Sequence, residues 1–122
     1  MAKVIGLGGI FFKARDPEAL GKWYAEHLGL SIDDWGGVRW SEEASRPGYT
    51  LWAPFAADTS YFSPSTQPYM VNFRVDDLHA LLARLRAAGV TVDERVDESE
   101  YGRFGWIMDP EGTRIELWQP PP

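Results

Sequence analysis

The chain has 122 residues, a formal net charge of −6, 44% apolar and 25% charged residues, 14% aromatics and no cysteine. That length fits one domain, or two half-domains sharing a core, and the composition is ordinary for a globular protein. The acidic balance argues against general affinity for nucleic-acid phosphates or anionic lipid. No apolar run approaches the ~18 residues of a membrane span, and a chain without thiols has no disulfide framework or zinc–thiolate site. The expected location is cytoplasmic, with neither nucleic acid nor membrane as a partner.

Residues 4–14 read as a first strand rather than a signal peptide, because they lack a small-residue cleavage site and run straight into patterned sequence. Asp16 offers a helix N-cap and Pro17 a first helical residue. Leu20, Trp23, Tyr24 and Leu28 then recur at helical spacing, and Gly29 stands where a left-handed terminal residue is wanted. Short strand patterns follow at 30–33, 37–41 and 48–54. The stretch FAADTSYFSPSTQPY (55–69) is irregular. Its SPSTQP segment (63–68) reads as a linker, and Asp58, Tyr61 and Phe62 are placed to reach over a site or across a dimer seam. A strand at 68–75 leads into Asp76 or Asp77 as N-cap, a helix carrying Leu78, Leu81, Leu82 and Leu85, and Gly89 at its end. Further strands are predicted at 90–94, 101–108 and 113–118. Between the last two, DPEG (109–112) reads as a turn closing a hairpin. A three-residue loop pairs Asp109 with Thr113, puts Trp106 opposite Glu116 and Phe104 opposite Trp118, and sends Ile107 and Ile115 to the core together. A two-residue loop would instead set Gly105 opposite Glu116.

These elements occur twice. GIFFKARDPEAL (9–20) aligns with MVNFRVDDLHAL (70–81), GLSID (29–33) with GVTVD (89–93), and TLWAP (50–54) with ELWQP (116–120), always in the same order. An internal repeat of this kind reads as two copies of one supersecondary unit. The unit is βαβββ, with a first module of about 1–62 and a second of about 63–122, together one domain over 1–122.

A paired βαβββ unit with a strand–Asp–helix–Leu-Gly opening and a DPEG.RIEL ending resembles the vicinal oxygen chelate superfamily, the group of glyoxalase I, extradiol dioxygenases and bleomycin-resistance proteins. The resemblance covers the whole chain. It implies an α+β fold in which eight strands form a cupped mixed sheet with the helices outside, and it implies a homodimer. It also implies four metal-ligand positions, on the first and last strands of each half. Carried onto this sequence, these are Gly9, Met70, Thr50 and Glu116, so only Glu116 keeps a ligand-type side chain. Thioether and hydroxyl groups are poor ligands for the usual ions. His27 and His79 both belong to helices that the fold places outside the cup. No metal and no other cofactor are therefore expected.

Strand alternation assigns the remaining lining. Phe11, Trp52, Met70, Phe104, Trp106 and Trp118 face the cup, with Lys13, Asn72, Arg74 and Glu116 as its polar points. Apolar walls with a few convergent polar groups describe a small-molecule pocket. The leading expectation is a metal-free binding protein of the glyoxalase/bleomycin-resistance type, holding a flat, partly aromatic ligand. The alternative is a lyase, isomerase or dioxygenase-like enzyme in which Glu116 moves a proton or holds a metal. A third reading is a dimeric structural module whose rings simply fill the cup.

Overall fold

The computed structural model describes residues 2, 10–40 and 48–122. Among these residues there are two helices. Helix α1 spans Pro17–Leu28 and α2 spans Leu78–Ala87. Their starts follow from the sequence: Asp16 accepts from the Ala19 N–H and Asp77 from the Ala80 N–H, each satisfying an amide that the first helical turn leaves without a partner. Helix α1 stops at Gly29, whose φ of 72° is the left-handed conformation that a residue without Cβ adopts at little cost.

One four-stranded sheet follows, built from the second half of the chain. Strands β1 (Val71–Arg74), β2 (Asp97–Ser99), β3 (Gly102–Met108) and β4 (Arg114–Gln119) lie in the order β1-β4-β3-β2. Strand β1 runs parallel to β4, and the other pairs are antiparallel. With α2, they make the expected βαβββ unit, and the α+β class holds. The three-residue form of the DPEG loop is the one found. The Asp109 N–H donates to the Thr113 carbonyl at 2.9 Å, so Trp106 pairs with Glu116, Ile107 with Ile115 and Phe104 with Trp118.

The second strand of this unit differs from expectation. Over 90–94, only Val92 bridges to Ile107; the ladder resumes at Asp97 opposite Phe104, two residues out of the earlier register. Residues 93–96 bulge to take up that slack, and the Asp93 carboxylate holds the bulge by accepting the Arg95 N–H at 2.9 Å. Strand β2 is thus a short edge strand with the acidic sequence DES, which no apolar alternation would announce.

In the first half, α1 is the regular element among the described residues. The segments 10–14, 30–33, 37–40 and 48–54, expected as strands, have irregular backbone, so four of the eight anticipated strands are present among the described residues. Within them, 33–37 close on themselves instead, through Asp33 N–H to Gly37 carbonyl and Gly36 N–H to Asp33 carbonyl bonds. The rest of the first-strand expectation (4–9), the candidate Gly9 and residue 41 lie outside the described residues.

The core lies between helices and sheet. Leu20 and Tyr24 of α1 and Leu78, Leu82 and Leu85 of α2 pack on Ile107, Ile115 and Leu117. Burying each such aliphatic side chain stabilises by roughly 1.5–3 kcal/mol. Gly105 lets α2 approach β3 closely, since a Cβ there would stand 3.0 Å from a Leu82 methyl. The odd-numbered residues of β3 and β4 therefore face the helices, and the even-numbered ones face away. Among the described residues, no helix is long and apolar enough to cross a membrane.

Candidate functional site

The face of β3 and β4 turned away from the helices carries Phe104, Trp106, Arg114, Glu116 and Trp118. Their neighbours are fixed by register. Asn72 of β1 is the Cα partner of Glu116 on one side and Trp106 of β3 on the other. Accordingly Asn72 Nδ2 donates to Glu116 Oε1 at 2.8 Å, and Trp106 Nε1 donates to Oε2 at 3.0 Å. A third donor comes from outside the sheet: the Tyr61 hydroxyl, carried by the irregular stretch after 55, bonds to the same Oε2. Burial and this bond to a carboxylate push the Tyr61 phenol well above its usual range, so it stays a donor. Glu116 is thus a nearly buried carboxylate held by three side-chain donors.

Aromatic rings surround it. Tyr61 stands edge-on to Trp106, with centroids 6.2 Å apart and planes at 90°. Phe104 and Trp118 lie nearly parallel, at 8° and 6.1 Å. Trp118 is anchored by its indole N–H, which donates to the Tyr101 carbonyl at 2.7 Å. Phe55 stacks on the outer face of this group, 5.6 Å from Tyr61 at 17°. Two guanidinium groups also lie against Trp106, those of Arg95 from the bulge and Arg114 from β4, each 5.3 Å from the ring centroid. A cleft of about 390 Å³ opens here, lined by Tyr61, Val96, Asp97, Glu98, Ser99, Phe104 and Trp106. That volume falls within the roughly 300–1,000 Å³ of small-molecule sites.

Of the residues singled out in the sequence, the structure gathers Glu116, Asn72, Phe104, Trp106 and Trp118 into this one face. Met70 is half-buried just before β1, and Arg74 is exposed at the end of β1. Phe11 and Trp52 stand almost wholly in solvent, at 95% and 81% exposure, and Lys13 is exposed as well. Sequence reasoning assigned no role to Arg95 or Arg114. For Arg114 a signal exists, since it shares the alternation of Glu116 and Trp118; for Arg95 none does, because its position depends on the bulge.

The donor set fits a metal of the superfamily type poorly. Glu116 is committed to three hydrogen bonds, and Met70 and Thr50 offer a thioether and a hydroxyl. His79 sits 3.0 Å from Glu98, and His27 packs its ring on Trp23 at 5.1 Å, each on its helix. Among the described residues, no group of three or more His, Asp or Glu side chains is arranged to hold an ion.

A family model described as a glyoxalase-like domain matches residues 9–118. Among solved structures, TnmS3, an antibiotic-binding protein from Streptomyces sp. CB03234, is 27% identical, with a TM-score of 0.59, over 98% of this chain and 100% of that one. A glyoxalase/bleomycin-resistance protein from the same organism is 29% identical, with a TM-score of 0.50, over 85% and 91% of the two chains. SMU.1112c shares the fold at 17% identity and a TM-score of 0.62, over 96% and 100%. Comparison with curated proteins gives no match.

Proposed function

Since the chain belongs to the glyoxalase-like domain family, we propose that it is a binding protein which holds a flat, partly aromatic small molecule against Phe104, Trp106 and Trp118 without using a metal. One observation carries this reading. The carboxylate at the position where relatives of the superfamily place a metal ligand is occupied by Asn72, Trp106 and Tyr61 donors at the floor of an aromatic face. A carboxylate so held ties Asn72, Trp106 and Tyr61 together and so positions the rings of the face. The antibiotic-binding relative, aligned end to end at 27% identity, supports the same reading. Proton transfer by Glu116 is the competing function, and it requires those three donors to give way.

The proposal includes a homodimer. Phe11, Trp35, Trp40, Leu51 and Trp52 are all more than half exposed, and apolar area of that kind on one half of a small chain favours cover by a second copy. Sedimentation of the purified protein tests this part, with a monomer at all concentrations as the contrary result.

Binding is tested by quenching of tryptophan emission with a panel of planar aromatic compounds. Saturable quenching is expected, and Phe104→Leu, which removes a flat ring but little volume, should weaken it about two- to tenfold. No quenching by any compound would overturn the binding reading. Stoichiometric transition metal in protein purified without chelator, lost in Glu116→Ala, would overturn the metal-free part.

A further inference from the structure

What bounds the cleft can be read one step further, on the assumption that the site binds a ring as proposed above. Two spaces meet at Tyr61. One is the cleft of about 390 Å³, whose aromatic lining is Tyr61, Phe104 and Trp106. The other is an open groove of about 3150 Å³, lined by both halves of the chain, with Tyr49 from the first and Asn72 and Trp118 from the second. Phe104 and Trp106 border the cleft alone, and Phe55, Phe62 and Glu116 border the groove alone. Glu98 and Ser99 of the edge strand β2 touch both spaces, and so does Tyr61, the one aromatic ring among the described residues to do so.

That ring is held as a partition would be. On the groove side Phe55 stacks on it at 5.6 Å and 17°, and Phe62 stands edge-on at 6.4 Å and 64°. On the cleft side it meets Trp106 edge-on at 6.2 Å. Its hydroxyl donates to Glu116, which the Asn72 and Trp106 donors fix from the neighbouring strands. Tyr61 comes from an irregular stretch that has no ladder to hold it. The same stretch is tied at a second point, where the Ser65 hydroxyl bonds to the Gly112 carbonyl, and Ser65 borders the groove but not the cleft. A wall of the cleft is thus supplied by a loop and positioned by the sheet.

We propose that Tyr61 is a specificity-determining residue of this site: its ring closes the cleft toward the groove and so limits the size of the flat ligand that enters. The cleft's volume lies near the lower end of the usual range for small-molecule sites, which suits a ligand of two fused rings better than one of four. In this arrangement Glu116 is a positioning residue, acting on the ligand through the Tyr61 ring.

The test uses two probes that differ in ring size and share one hydroxymethyl group, 2-naphthylmethanol and 1-pyrenylmethanol, measured by equilibrium dialysis against the full chain at neutral pH. With nothing in its way, the larger ring system would bind roughly tenfold more tightly, because it removes more apolar area from water. Wild-type protein is expected to bind the two within about twofold of each other, or to favour the naphthalene. Tyr61→Ala should shift the ratio about tenfold toward the pyrene, because the cleft then opens into the groove. Tyr61→Phe keeps the ring but frees it from Glu116, and should shift the ratio part of the way. This milder change also keeps the proposal testable should the alanine variant fail to fold. Ser65→Ala loosens the stretch at its other tie and should leave the ratio at its wild-type value, which separates a wall from a general loosening of the loop. Equal shifts for Tyr61→Phe and Ser65→Ala would overturn the inference. So would a ratio unchanged in both Tyr61 variants, or a wild type that already prefers the pyrene by about tenfold. Binding of neither probe by the wild type would instead remove the ring-holding reading, and this inference with it.

Discussion

Leu117 and Trp118 are 0% and 4% exposed, whereas Leu51 and Trp52, the same two letters at the matching place in the first half, are 67% and 81% exposed. The side chains are identical, so intrinsic hydrophobicity is not what separates them. The difference is the ladder. Strand β4 is flanked by β1 and β3, which fixes its alternation: Leu117 goes to the helices and Trp118 stacks on Phe104. Residues 48–54 have no such flanks among the described residues, and a strand-type pattern without neighbours places nothing. The first half instead grips the second through α1. There the Tyr24 hydroxyl donates to Asp109 at 2.8 Å in the buried interior, and the Glu111 carboxylate accepts the N–H groups of Arg15 at 2.7 Å and Asp16 at 3.1 Å.

The sharpest way to break this comparison is to truncate both leucines. Leu117→Ala should cost about 2–5 kcal/mol in urea unfolding, as deletion of a fully buried aliphatic side chain does. Leu51→Ala should stay within about 0.5 kcal/mol at concentrations where the chain is monomeric. If a second copy covers the first half, the Leu51→Ala cost will grow with protein concentration. A large, concentration-independent loss for Leu51→Ala would show that the two copies of the pattern are equivalent after all.

The letter that differs between the copies, Glu116 against Thr50, should separate them less widely. Glu116→Ala leaves the Trp106 indole N–H, the Asn72 amide and the Tyr61 hydroxyl without their acceptor, at a cost of roughly 1–3 kcal/mol. Thr50→Ala, at an exposed residue, is expected to stay within about 0.5 kcal/mol. Glu116→Gln keeps an acceptor oxygen and should fall between them. Equal losses for Glu116→Ala and Thr50→Ala would mean that the three donors find other acceptors, and that Glu116 does not organise the face.

How much of this was legible follows from which contacts are local. The helices could be read because Asp16, Asp77 and Gly29 act within one turn of chain. The β3–β4 register could be read because DPEG is a short loop whose length fixes every pair above it. From that register the Trp106–Glu116 bond follows directly. The Tyr61–Glu116 bond spans 55 residues and comes from a stretch with no periodicity, so pattern marks Tyr61 only as a loop residue within reach of the site. The bulge at 93–96 was hidden because an unpaired residue leaves no mark on hydrophobic alternation. Phe11 and Trp52 point to the opposite lesson: alternation assigns a face only where a sheet exists to have one.

The first of the two grips offered by α1 gives a pH signature. Burial, reinforced by the bond to Asp109, raises the Tyr24 phenol far above its ordinary value of 10.0. A raised folded-state value means that the stabilisation is fully present below about pH 10 and is lost as pH climbs from there toward the folded value. Tyr24→Phe should therefore cost about 1 kcal/mol near neutrality. It should also flatten the loss of stability above about pH 10 in a urea series. A variant with an unchanged alkaline limb would place the source of that limb elsewhere, with Tyr61 the next candidate.

The second grip works at the other end of the scale and is weaker, because Glu111 lies near solvent. Its carboxyl is held below the ordinary value of 4.5, first by the Arg15 N–H and then by the Asp16 N–H. For a depressed value the stabilisation is present above the unfolded pKa and is lost as pH falls through the folded one. Glu111→Gln should leave the neutral-pH midpoint nearly unchanged and reduce the slope of stability against pH below about 4.5. Asp93 provides the internal control. It too is held low, chiefly by the Arg95 N–H, yet its partners all lie in the second half. If α1 joins the halves as described, Glu111→Gln will alter acid-induced separation of α1 from the sheet, read by tryptophan emission at Trp23. Asp93→Asn will change acid stability without that spectral step. Identical emission profiles for the two variants would mean that the halves come apart by some other route than the turn at Glu111.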